Sequence, residues 1–276
     1  MSSEQVGGGA VSAGGRVIRA VALDLDGVVW RGSQVLPGVG EALEDALRRG
    51  LDLRYVSNNS TAHRETVSER LAGMGLPAGA ERVLTSAFVT GRWLRDRLPL
   101  GSLVMVVGES GLVHELERFG FVMAGRDAEY VVAGWDKTVT YEKLRVATLA
   151  VRDGATFVGT NPDKTYPMEN DIIPGAGSIL AALVAATDVE PIIVGKPEPI
   201  IIQRCLDLTG SAPAETAILG DRLDTDILGG QRAGIGTILV LTGISTRDEA
   251  EVWTPRPGLV VSDLTDLLQR WDAALG

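Results

Sequence analysis

The sequence predicts an α/β protein, a parallel sheet covered by helices with a second, smaller α/β unit inserted into it. Three observations carry that prediction. Short segments rich in Val, Ile and Leu alternate with longer amphipathic ones, as strands buried on both faces alternate with crossover helices. About ten strand candidates exceed the five or six of a usual sheet, which favours two units over one very wide sheet. The polar clusters that follow strands fall into an early group and a group after residue 190, leaving a long stretch between them for an insertion.

The first fifteen residues are rich in Gly, Ser and Ala and lack the positive start and apolar run of a secretory signal, so 1–15 is expected to be a flexible tail. Val17 to Leu23 is the first strand and ends on Asp24. Helix-spaced apolar residues follow at Val39 to Arg49, stopped by Gly50, then a strand at Leu51 to Val56. Glu65 to Met74 repeats the helical pattern with Gly75 as its stop, and Arg82 to Leu84 is a short strand. In the insertion the pattern predicts helices at Phe88 to Leu98, Leu112 to Phe119 and Tyr141 to Arg152. Its strands are expected at Leu103 to Val107, Tyr130 to Ala133 and Ala155 to Val158. Beyond it come helices at Ser178 to Ala186, Pro199 to Leu208, Asp226 to Ala233 and Leu264 to Ala274. Strands there are Pro191 to Val194, Thr216 to Leu219, Thr237 to Leu241 and Leu259 to Val261. The expected domains are therefore a discontinuous core, 16–85 with 175–276, and an inserted unit, 86–174. No internal repeat competes with this organisation.

The 276 residues, 45% of them hydrophobic, are enough for a sizeable core. With 26 Lys and Arg against 36 Asp and Glu the formal charge is -10, which opposes binding to nucleic acid or to anionic membranes through a general positive field. No apolar run approaches the roughly 18 residues of a membrane span. The single cysteine, Cys205, cannot form an internal disulfide and reads as buried packing. These features are those of a cytoplasmic protein.

Four strand ends carry the chemistry, because ligands of open α/β sheets bind beyond the carboxyl ends of the strands. At the first, Asp24 and Asp26 project from the same side of a strand, roughly 6.6 Å apart along it. Two such carboxylates need a cation, a shared proton or a division of labour, whereas a plain reading makes Asp26-Gly27 a turn. At the second, Ser57, Asn58 and Asn59 offer donors to an anion, while Ser60 and Thr61 are better explained as helix caps. Lys196, in Gly195-Lys196-Pro197, follows a strand directly and brings a positive charge to the crevice. At the fourth, Asp221, Asp224 and Asp226 follow another strand. Oxygen ligands of this kind suit Mg²⁺, and Asp221 is well placed to bind it. Asp224 and Asp226 can instead cap the next helix or orient the site.

Taken in order, Asp24-Leu25-Asp26-Gly27-Val28, Ser57-Asn58-Asn59, Gly195-Lys196-Pro197 and Gly220-Asp221-Arg222-Leu223-Asp224-Thr225-Asp226 resemble the four motifs of haloacid dehalogenase-like phosphatases. The Ser-Asn-Asn run, the Gly-Lys-Pro step and the long insertion between them are similar to the p-nitrophenylphosphatase and phosphoglycolate-phosphatase-like branch. The resemblance covers about residues 20 to 245 and implies a Rossmann-like core with an α/β cap between the second and third motifs. It implies Asp24 as nucleophile, forming an aspartyl-phosphate, and Asp26 as the acid that protonates the leaving oxygen and later accepts a proton from water. It implies Mg²⁺ held by Asp24, the backbone carbonyl of Asp26, and Asp221, with Asp226 orienting these ligands. Ser57, the Asn58 backbone and Lys196 would hold the phosphate, with Asn59 facing the rest of the substrate. A homodimer formed through the cap is compatible with the resemblance.

An acid at Asp26 favours phosphatase or phosphomutase chemistry over dehalogenation, since a halide leaving group needs no proton. Phosphomutases of the resembled superfamily usually carry another kind of cap after the first motif, whereas Asp26 and Ser57 are close in sequence, so the resemblance favours hydrolysis of a small phosphorylated metabolite. Phosphoglycolate, glycerol phosphate, pyridoxal phosphate, a sugar phosphate and a nucleoside monophosphate are all candidates. Thr160-Asn161-Pro162-Asp163 and Lys164 to Pro167 resemble a loop that lies near the substrate in relatives, while an Asn-Pro turn explains them equally. Other readings are a phosphotransferase or phosphomutase on the same site, a sensor of phosphorylated metabolites without catalysis, or a dinucleotide-binding oxidoreductase. The last rests on Gly38-Val39-Gly40 and Gly175-Ala176-Gly177, which have Leu43 and Leu180 where the glycine pattern ends. His63 and His114 read as surface or packing residues, and Trp30 as core more readily than as site lining.

Overall fold

The computed structural model describes residues 11–13, 16–167 and 171–275. The chain forms two compact units, the first made of Met1–Tyr55, Leu71–Ala78 and Ile202–Gly276, the second of Val56–Arg70 and Gly79–Ile201. Most of the expected tail lies outside the described residues. Its described part, Val11–Ala13, is a strand paired antiparallel with Arg16–Ile18.

The sheet of the first unit places Leu259–Val261, Gly236–Val240, Thr216–Gly220, Ala20–Leu23 and Asp52–Ser57 side by side, all parallel. Ala20–Leu23 and Thr216–Gly220 are buried at every position, as central strands covered on both faces must be. Helix Val39–Arg48 turns Val39, Ala42, Leu43 and Ala46 inward, and Leu264 and Leu267 of the last helix are buried as well. The Thr216–Gly220 strand is in register with the first, Leu219 beside Leu23, so the chain leaves both strands at one level. That register brings the first and fourth motifs together.

The second unit has its own five-stranded parallel sheet, ordered Ile192–Ile193, Thr156–Gly159, Tyr130–Ala133, Leu103–Val107, Val122–Met123. A cluster including Val107, Val131, Phe157, Leu180 and Leu183 packs around it. The second unit thus reaches beyond the 86–174 expected for the insertion. Helix Ala176–Thr187 packs into its core, and Ile192 and Ile193 pair with Val158 and Gly159, so the strand before Lys196 belongs to this sheet.

Element positions follow the sequence pattern closely, with helix ends moved by capping. The helix expected from Phe88 begins at Ser86, because the Thr85 side chain accepts from the Phe88 N–H and closes the first turn. The helix expected from Asp226 begins at Leu228, preceded by a π-helical turn over Leu223–Ile227. Helix Arg247–Val252 was not expected, although Thr246 and Glu249 form the reciprocal capping box that a Thr-x-x-Glu spacing announces. Two short hairpins, Trp30–Arg31 with Gln34–Val35 and Thr165–Pro167 with Ile172–Pro174, lie below the length at which alternation is readable. Among the described residues no helix is long and apolar enough to cross a membrane.

Candidate active site

Asp24, Asp26, Asp221 and Asp226 all belong to the first unit. Asp24 follows its strand directly, with its N–H bonded to the Leu219 carbonyl at 2.9 Å. Carboxylate oxygens of Asp24, Asp221 and Asp226 lie within 4.8 Å of one another. Repulsion between two carboxylates so placed is of order 3 kcal/mol at an effective dielectric of about 20, so the cluster asks for a cation. A set of hard oxygen donors, partly buried and converging from two strand ends, fits Mg²⁺.

The surroundings of Asp221 and Asp226 are built for those two side chains. Asp221 Oδ2 accepts from the Ile244 N–H at 2.8 Å, and its carbonyl accepts from the Ser245 N–H at 3.0 Å. A Cβ on Gly243 would stand 1.8 Å from Asp221 Oδ2, so the loop passes this close only as glycine. Asp226 is 1% exposed and turns back inside the π-helical turn, where its Oδ2 accepts from the Arg222 N–H at 3.1 Å. A Cβ on Gly220 would meet the Asp226 Cβ at 2.1 Å. Asp224, by contrast, points outward and pairs with the Arg222 guanidinium at 2.8 and 3.0 Å. The structure thus separates the two acids that sequence spacing left equivalent, and gives Asp226 a position within ligand range of the other two carboxylates.

Asp26 stands on the turn that follows Asp24. Leu25 O accepts from the N–H groups of Val28, Val29 and Trp30, which winds the chain back on itself. The Trp30 indole N–H then donates to Asp26 Oδ1 at 2.9 Å. Thr242 Oγ1 donates to the Gly27 carbonyl at 2.5 Å, and Arg31 donates to the Thr242 carbonyl. These contacts tie the turn to the loop that carries Gly243 and Ile244. Core packing, the preferred sequence reading of Trp30, is half of its role; the bond to Asp26 had no sequence signal beyond proximity.

Ser57, Asn58, Asn59 and Lys196 belong to the second unit. Lys196 is 1% exposed, and its ammonium donates to the Val56 carbonyl at 2.7 Å. Asn58 joins the two turns. Its Oδ1 accepts from the Lys196 N–H at 2.8 Å, and its Nδ2 donates to the Lys196 carbonyl at 2.9 Å and to Asp163 Oδ2 at 3.0 Å. Its side chain is therefore spent on the protein, while its carbonyl accepts from Ser86 Oγ and Asn161 Nδ2. Ser57 Oγ accepts from the Asn59 N–H at 3.1 Å, and Asn59 Oδ1 accepts from the Thr61 N–H and hydroxyl. Thr160 and Asn161 of the suggested substrate loop are buried and serve this framework. Tyr166, further along, stacks on Trp135 with ring centroids 4.4 Å apart.

The remaining residues singled out from the sequence fall outside these clusters. Cys205 is fully buried, and burial pushes its thiol up to about 12. His63 and His114 stack on each other at 4.5 Å, with His63 also against Glu65 and Thr66. Gly38 and Gly175 each cap the start of a helix.

Comparison with known proteins identifies the family. Residues 21–122 match the family model described as haloacid dehalogenase-like hydrolase, and residues 193–267 match a second model of HAD-like hydrolases. The acid sugar phosphatase of Staphylococcus aureus is 39% identical over 251 residues, 91% of this chain and 96% of that protein. The p-nitrophenyl phosphatase of Archaeoglobus fulgidus superposes with a TM-score of 0.87 at 33% identity, covering 91% of this chain and 98% of that one. The glycerol phosphate phosphatase of Mycobacterium tuberculosis, solved in complex with magnesium, gives 0.84 at 33% identity over 91% and 76%.

The chain belongs to the haloacid dehalogenase-like hydrolase family. Within it the chain is a phosphoric monoester hydrolase of the p-nitrophenylphosphatase-like branch, with the family's Rossmann-like α/β fold.

Proposed function

We propose that this phosphatase is Mg²⁺-dependent, works through an aspartyl-phosphate on Asp24, and acts on a small phosphorylated metabolite. The single observation that carries the reading is the cluster of Asp24, Asp221 and Asp226 oxygens within 4.8 Å of one another, beside an Asp26 held by hydrogen bonding. Asp24, Asp221 and Asp226 would hold the ion through carboxylates, and Asp26 through its main-chain carbonyl. Bound there, Mg²⁺ supplies the charge neutralisation that lets an anionic carboxylate approach an anionic phosphoryl group.

In this reading Asp24 attacks phosphorus as the bond to the leaving oxygen breaks, and Asp26 delivers the proton that turns that oxygen into an alcohol. Asp26, now a carboxylate, takes a proton from the water that cleaves the aspartyl-phosphate. Ser57, the Asn58 main chain and Lys196 bind the phosphate oxygens, and the network of Asn58 with Lys196 keeps them in fixed relation. Asn59, its Oδ1 engaged with Thr61, serves the substrate through the turn it stabilises.

The second unit corresponds to the cap that the family inserts between its second and third motifs, and Trp135 and Tyr166 stack on each other within it. Relatives named for sugar phosphates and glycerol phosphate support a polyol or sugar phosphate substrate. A panel of phosphorylated metabolites assayed with Mg²⁺ and with EDTA tests the reading, with Asp24→Asn as control. Mg²⁺-dependent release of phosphate, absent in the variant, is expected. Full turnover by Asp24→Asn removes the nucleophile, and activity that survives thorough chelation removes the metal.

A further inference from the structure

We infer that Trp30 is a positioning residue for Asp26: its indole N–H fixes the carboxyl in the orientation from which Asp26 serves the leaving oxygen. The inference rests on the reading of Asp26 as proton carrier and adds the group that aims it. The Trp30 Nε1 lies 2.9 Å from Asp26 Oδ1, and the ring is 2% exposed, so it cannot swing away without opening the core. The backbone ties Trp30 to both neighbours of Asp26, since the Gly27 N–H donates to the Trp30 carbonyl at 2.8 Å and Leu25 O accepts from the Trp30 N–H at 3.1 Å. Gly27 at φ 83° makes that reversal possible. The hairpin that starts at Trp30 is anchored in turn, through Arg31, to the Thr242 carbonyl.

An indole N–H can only donate, so Asp26 Oδ1 is held as an acceptor and the plane of the carboxyl is set. A buried tryptophan can satisfy its N–H on any carbonyl, and here it is spent on a carboxylate beside the proposed nucleophile. In the step concerned, the Asp24 oxygen bonds to phosphorus, the bond from phosphorus to the leaving oxygen breaks, and the proton passes from Asp26 to that oxygen. Misalignment of Asp26 therefore harms a substrate in proportion to the basicity of its leaving group. A glycerol or sugar alkoxide needs the proton; a nitrophenolate leaves without it.

The test is Trp30→Phe, which keeps a buried ring and removes the N–H. On one preparation, kcat/KM is measured for 4-nitrophenyl phosphate, phenyl phosphate and glycerol phosphate with Mg²⁺, so that the fraction of folded enzyme cancels in the ratios. This constant reports on steps through formation of the aspartyl-phosphate. We expect glycerol phosphate to lose at least about tenfold more than 4-nitrophenyl phosphate, part of the 10²–10⁴ that a positioned acid contributes. Equal losses on all three substrates, or none, overturn the role of Trp30. Asp26→Asn, measured alongside, separates the two ideas. If it discriminates by leaving group and Trp30→Phe does not, the Trp30 inference alone fails. If Asp26→Asn itself treats the three alike, the proton-carrier reading fails with it.

Discussion

Asn58 and Lys196 hold each other by two hydrogen bonds, the Lys196 N–H to Asn58 Oδ1 at 2.8 Å and Asn58 Nδ2 to the Lys196 carbonyl at 2.9 Å. The side-chain amide thus imitates a strand partner and joins turns far apart in the chain. Asn58→Ala leaves that backbone N–H and carbonyl without the amide and is expected to cost about 2–4 kcal/mol of stability. Activity should fall roughly tenfold as Lys196 loses its fixed position. Urea denaturation and kcat/KM check the two effects, and a variant with native values in both would refute the role.

Gly243 touches Asp221 so closely that any side chain must displace one of them. Gly243→Ala is expected to cost about 1–3 kcal/mol by overpacking, and to weaken Mg²⁺ binding because the displaced group is Asp221. Isothermal titration with Mg²⁺ reads the second effect directly. Unchanged affinity would mean that the loop, and not Asp221, gives way.

Asp226 and Asp224 make opposite predictions. Asp226 is buried with its oxygen near those of Asp24 and Asp221, whereas the Asp224 side chain is 62% exposed and bound to Arg222. Asp226→Asn should weaken Mg²⁺ binding at least about tenfold, and Asp224→Asn should change it less than about twofold, a rim ion pair being worth little. Equal effects in the two titrations would return the acids to equivalence.

Burial alone would raise the Glu65 carboxyl, but hydrogen bonds from Arg118, its own N–H and His63 overcome this and lower it from 4.5 to about 2. A carboxyl with a depressed folded value stabilises fully above 4.5 and loses that contribution as pH falls from 4.5 towards 2. Glu65→Gln should therefore flatten the stability profile across this window. At neutral pH the variant should lose less than about 1 kcal/mol, because both partners are part-exposed. Urea midpoints taken at intervals from pH 7 to pH 2.5 measure it, and parallel curves for both proteins would contradict the assignment.

Cys205, fully buried with its thiol pushed up to about 12, should resist thiol reagents in the folded protein at pH 8. Labelling is expected to be slower than in denaturant by on the order of a hundredfold or more. Mass spectrometry after timed exposure to iodoacetamide reports it, and rapid native labelling would show the site to be open.

Much of this is legible in the sequence itself. The strand that ends on Leu23, just before Asp24, and the one that ends on Gly220 are mostly apolar runs, and such runs mark parallel strands because both faces are covered. Helix Tyr141–Arg152 has the bounds that its apolar spacing predicts. The hairpin at Trp30 is not legible because two-residue strands carry no period, and the strand Ile192–Ile193 pairs in the second unit's sheet, outside the expected core, because a strand's pattern does not say which neighbour it pairs with. Helix Arg247–Val252 could have been found from its capping box.

The sequence by itself determined the class of fold, the four strand ends and the kinds of side chain at each, because propensity and periodicity are local properties. It determined as well that Asp24 and Asp26 follow one strand and Asp221 another. Only the tertiary structure decided which acids converge. The register of Leu219 beside Leu23 levels the two strand ends, and the missing Cβ of Gly220 lets Asp226 turn inward while Asp224 remains outside. It likewise decided that Asn58 bonds to Lys196 and Trp30 to Asp26. Such contacts depend on distances across the fold, which burial and hydrogen bonding set and linear spacing does not encode.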